Sequence, residues 1–122
     1  MMKLACVHIC EHAELEKGKL SIHGVFDRIN APGFPAVYPE MGVVIHVDAT
    51  PGRHHEYASI RKDGREIART PVQEFAPTTE KPRNQFIHRL IDFKLPSAGR
   101  YDVEAVVDGN IVGTSYFFAR VG

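Results

Sequence analysis

Seven histidines and two cysteines are the chemically suggestive residues in a chain of 122. The densest pattern is Cys6-Val7-His8-Ile9-Cys10-Glu11-His12, where Cys6, His8, Cys10 and His12 are all metal-ligand types at every second position. On an extended strand these side chains share one face. Zinc takes such ligands at about 2.0–2.3 Å. A strand rises about 3.3 Å per residue, so Cys6 and His12 stand about 20 Å apart and one ion reaches only neighbours such as His8 and Cys10. Further ligands must come from a second strand. A hairpin turning near Leu15 and Glu16 would set His8 opposite His23, with Cβ atoms about 4.5–5.5 Å apart. His8, Cys10 and His23 are therefore the candidate zinc ligands. The plainer reading takes precedence: His8 hydrogen-bonded and half-buried, His23 in solvent, and no cofactor. A one-residue slip in register is enough to send His23 to the other face.

Other chemistry finds less support. His54 and His55 are adjacent, so on a strand they point to opposite faces and chelate poorly. Ser21, Ser59, Ser97 and Ser115 lie in no Gly-x-Ser-x-Gly context. No glycine-rich phosphate loop is present. Cys6 and Cys10 would lie about 13 Å apart on a strand, too far for a disulfide. Both are expected to be buried free thiols in a reducing cytoplasm. The balance leans away from an enzyme.

Fifteen Lys and Arg against fifteen Asp and Glu give zero formal net charge, which argues against a dedicated nucleic-acid binder. Arg53, Arg61, Lys62, Arg65 and Arg69 make the middle of the chain basic, but without an interleaved stacking platform along the sequence. Glu11, Glu14 and Glu16 make the first turn acidic. No apolar run approaches the ~18 residues of a membrane-spanning helix, so no membrane partner is expected.

The elements that must position these residues are strands. Residues 3–10 are apolar at nearly every position, as in a strand covered on both faces. Leu20, Ile22, Gly24 and Phe26 alternate with Ser21, His23 and Val25. Residues 42–49, 55–62, 65–70, 85–95, 99–107 and 110–121 are also extended, with Ile87, Ile91, Phe93 and Leu95 in phase. Asp63-Gly64 and Asp108-Gly109 mark two tight hairpins. Residues 30–40 and 71–84 carry most of the prolines and read as loops. No amphipathic run has helical length. The expected fold is all-β: residues 1–122 as a single antiparallel β-sandwich of immunoglobulin-like or C2-like type, with about seven or eight strands.

On the last strand Val112, Tyr116 and Phe118 fall on one face by alternation. If no loop covers them they form an apolar patch of the kind that marks an interface. The expected function is a non-catalytic binding or assembly module whose partner is another protein or a second copy, giving a homodimer. The alternative is a metal-binding protein or metal-dependent enzyme built on the first hairpin.

Several segments together carry a resemblance. They are Leu4-Ala5-Cys6-Val7, Cys10-Glu11-His12-Ala13-Glu14, residues 18–27 (GKLSIHGVFD), Phe34-Pro35, Asp63-Gly64, Gly99-Arg100-Tyr101 and Asp108-Gly109. In these the chain resembles an uncharacterised bacterial family of small all-β proteins, a domain of unknown function. The resemblance covers nearly the whole chain and implies a cytoplasmic bacterial β-sandwich. Its motifs are turn and core residues, so it transfers no catalytic residue.

Overall fold

The computed structural model describes residues 5–122, and the Lys3-Leu4 start of the expected first strand lies outside them. Among the described residues ten strands follow one another: β1 (Ala5–Glu16), β2 (Lys19–Val25), β3 (Arg28–Ala31), β4 (Ala36–Asp48), β5 (His54–Lys62), β6 (Arg65–Arg69), β7 (Gln73–Phe75), β8 (Arg83–Leu95), β9 (Gly99–Val107) and β10 (Asn110–Val121). The expected seven or eight strands become ten because β3 and β7 hide in the proline-rich stretches. Both are short and lie at sheet edges, where prolines close by remove no needed donor.

The strands form two sheets, one of order β2-β1-β4-β8 and one of order β3-β10-β9-β5-β6, with β7 also pairing β5. All pairings are antiparallel except β3 with β10, which is parallel. The expectation of a wholly antiparallel arrangement is corrected there: the chain leaves β2 at Phe26 and Asp27, crosses to the other sheet and runs alongside β10.

Three hairpins turn on two residues with positive φ: Lys17 and Gly18 (52° and 74°), Asp63 and Gly64 (54° and 76°), Asp108 and Gly109 (51° and 81°). This left-handed pair matches the right-handed twist of the flanking strands. The first turn therefore centres on Lys17-Gly18, two residues beyond the expected place. It pairs Glu16 with Lys19, and hence His12 with His23.

The two sheets share one core. Ile9, Met41, Val43, Ile45 and Val47 meet Ala58, Ile60, Val103, Tyr101 and Phe117 from the other sheet. Tyr101 and Phe117 stack nearly parallel, 5.0 Å between ring centres. The Tyr101 hydroxyl donates to the Ser97 carbonyl at 2.6 Å, so its one polar atom is satisfied.

β4 and β8 both exchange faces part-way along, around Pro39 and around Asp92 (φ 51°). Their inward residues are Met41, Val43 and Ile45 on one side of the exchange and Tyr38 and Ala36 on the other. On β8 they are Phe86, His88 and Leu90, then Phe93 and Leu95. The expected in-phase run from Ile87 to Leu95 is thus wrong in its first half: Ile91 is exposed, and Ile87 packs outside in a small cluster with Cys10 and Val44.

Candidate functional site

The outer face of the six-stranded sheet carries an unusual set of side chains. β10 turns Tyr116, Phe118 and Arg120 outward and buries Phe117 and Ala119 between them. Tyr116 and Phe118 meet edge to face at 5.6 Å, and each is 42% exposed. The Arg100 guanidinium lies 4.3 Å over the Tyr116 ring and also donates to Asp102 at 2.9 Å. Pairing places Phe118 between Arg100 of β9 and Arg28 of β3. Arg120 donates to the Asn30 side chain on β3. Farther across the sheet Arg69 lies 4.4 Å over Tyr57. Tyr57 lies within the basic stretch and meets its Arg69, which corrects the expectation that this stretch lacks aromatic company, and across β3, β10 and β9 cations and rings alternate in space.

Val112 does not join this face. The register shifts between Ile111 and Gly113, and the extra residue turns Val112 inward against the core. A bulge reverses the alternation of everything before it. Sequence alternation alone could not reveal that.

The expected zinc ligands stand apart. His8 is half-buried and meets His46 edge-on at 5.7 Å. Burial, then the neighbouring His8, pushes the His46 pKa below the ordinary imidazole value. Cys10 is fully buried, its thiol donates to the Gly42 carbonyl at 3.6 Å, and burial pushes its pKa up. His23 faces His12 instead of His8. Cys6 is exposed rather than buried. Among the described residues no group of three or more His, Cys, Asp or Glu side chains is arranged to hold a metal ion. A cleft of about 410 Å³ between β1 and β10 is lined by Val7, His8, Phe26, Asp27, Ser115 and Tyr116, and so opens beside the aromatic face.

Two polar pairs brace the scaffold. At one end His54 is sandwiched between Asp108 Oδ2, 2.6 Å from Nδ1, and the Thr50 carbonyl, 2.8 Å from Nε2. Both partners accept only, so the ring donates from both nitrogens as imidazolium. The bond to Asp108 raises the His54 pKa, and the same bond lowers that of Asp108. A raised histidine stabilises fully below its ordinary pKa, and loses this as pH climbs through the folded value. A depressed aspartate stabilises fully above its ordinary pKa, and loses this as pH falls through the folded value. The pair therefore contributes fully between about pH 4 and pH 6.5. Asp108→Asn is expected to cost about 1.5–3 kcal/mol at pH 6. Urea unfolding should show wild type losing stability from pH 6 to pH 9, and the variant, which keeps only the Thr50 bond to His54, losing less over this range.

The second pair lies in the core. Glu56 of β5 and His88 of β8 share a hydrogen bond of 2.9 Å across the two sheets. Glu56 is fully buried and His88 is 5% exposed. Among the described residues Glu56 Oε2 has no hydrogen-bond partner. Nothing in the sequence distinguishes these two from the exposed charges around them.

No curated protein matches the chain. Among solved structures it is similar to the Pseudomonas fluorescens alkylpurine DNA glycosylase AlkC bound to DNA containing an abasic site analog. The likeness has a TM-score of 0.55 at 13% identity, and covers 94% of this chain but only 30% of the glycosylase. It is a likeness of fold. It nevertheless corrects the exclusion of nucleic acid drawn from net charge, because part of a DNA-bound protein has this architecture. Zero net charge also constrains only the sum, and Arg28, Arg100 and Arg120 are gathered on one face. Residues 5–118 match a sequence family as well, and over that span the chain belongs to the family of unknown function DUF6941.

Proposed function

We propose that the chain is a non-catalytic binding module that holds a nucleic-acid strand on the outer face of its six-stranded sheet. The reading takes it as one β-sandwich domain, of immunoglobulin-like or C2-like type, working in the bacterial cytoplasm. The observation that carries it is the alternation of Arg28, Phe118, Arg100 and Tyr116 across three neighbouring strands. Exposed rings stack on unpaired bases whatever their identity, and arginines beside them neutralise phosphates. The glycosylase likeness supports the same partner class. A protein partner or second copy on this face is the competing outcome.

Chemical-shift mapping distinguishes them. Adding oligothymidylate to isotope-labelled protein is expected to shift the amides of Arg28, Arg100, Tyr116, Phe118 and Arg120 together. Shifts confined to other surfaces, or none at all, would overturn the reading. So would concentration-dependent broadening of the same amides without oligonucleotide, which would mark a homodimer interface.

A further inference from the structure

The register that separates His8 from His23 brings another set together. His12 and His23 are directly opposed on β1 and β2, and Glu14 follows two residues along on the face of His12. The opposite face of the hairpin carries the buried Ala13, with Ile22 and Leu20 half-buried against the same apolar cluster. The two imidazole rings lie nearly parallel, 6.1 Å between centres. Each Glu14 oxygen faces one ring: Oε2 is 3.8 Å from His12 Nε2 and Oε1 is 3.9 Å from His23 Nε2. The other nitrogen of His12, Nδ1, is 3.5 Å from Glu40 Oε2.

We propose that this hairpin binds one divalent transition-metal ion of the zinc type through His12, His23 and Glu14, with Glu40 orienting His12. Two imidazoles and a carboxylate are a borderline-soft donor set that suits zinc. A directly opposed pair with Cβ atoms about 4.5–5.5 Å apart can reach one ion from both strands. Glu40 lies at ion-pair distance from the second nitrogen of His12, near where a metal-bound histidine commonly finds the carboxylate that fixes its ring. As they stand the donors are at ion-pair separations and are not arranged around a metal position, so binding requires their side chains to turn. Their side chains are 43–60% exposed, so turning inward onto an ion displaces only solvent. The site lies on the other sheet from the aromatic face and is independent of it.

Calorimetric titration of zinc chloride into untagged, chelator-treated protein tests it. One equivalent is expected to bind. His12→Ala and His23→Ala should each weaken binding at least tenfold, and Glu40→Gln should weaken it by about tenfold. His55→Ala, at an exposed histidine on the other sheet, should leave it unchanged. Circular dichroism of each variant should match wild type, since none of these residues belongs to the core. No heat of binding, or binding retained by the His12→Ala/His23→Ala double variant, would overturn the proposal. Equal weakening by His55→Ala would overturn it too.

Discussion

Replacing His88 with alanine is expected to destabilise the fold by about 3–5 kcal/mol, a large share of the roughly 5–15 kcal/mol that holds a domain of this size together. The change removes the partner of Glu56 Oε1 while Oε2 already has none among the described residues. A fully buried carboxyl is then left without any hydrogen bond, and it cannot reach water from between the sheets. The cost comes from the orphaned group more than from the lost bond. Replacing both residues with leucine should therefore restore most of the stability, because no polar atom remains to be satisfied. Urea denaturation of the single and double variants checks this. A double variant less stable than His88→Ala would show that the pair itself, and not the orphan, sets the cost.

The second large effect separates adjacent residues. Phe117→Ala is expected to cost about 3–5 kcal/mol. It empties one half of the Tyr101–Phe117 stack, where both rings are fully buried, and also removes the contact of Phe26 at 6.4 Å. Phe118→Ala, one residue on, should cost less than about 1 kcal/mol, because its ring is 42% exposed and faces outward. Thermal melts of the two variants should differ by about 8 °C or more, given at least about 4 °C per kcal/mol for a small domain. Near-equal melts would mean that the two residues are not on opposite faces of β10.

The contrast between these neighbours was legible in the sequence, because Phe117 and Phe118 lie in an uninterrupted alternation. The same is true of the all-β class and the hairpins at Asp63-Gly64 and Asp108-Gly109. Where the alternation breaks, the sequence misleads. Pro39 and Asp92 exchange the faces of β4 and β8, so Ile91 points to solvent and His88 goes inside. The bulge at Ile111 and Gly113 takes Val112 away from Tyr116. A two-residue error in placing the first turn assigned His8 to the partner that belongs to His12. The basic–aromatic face was missed for a different reason. Its members come from β3, β9 and β10, and only the parallel pairing of β3 with β10 brings Arg28 beside Phe118. No local spacing encodes a contact between residues ninety positions apart.

The central claim is that this face holds a nucleic-acid strand, and the fluorescence anisotropy of a labelled oligothymidylate measures it directly. Stacking on a ring is worth about 1–3 kcal/mol per base, so Phe118→Ala should weaken binding by about tenfold or more without unfolding the protein. Three arginines predict a slope of log affinity against log salt of about −2. Arg100→Ala should make that slope shallower. Binding that is absent from wild type at low salt, or unchanged in both Phe118→Ala and Arg100→Ala, would contradict the account.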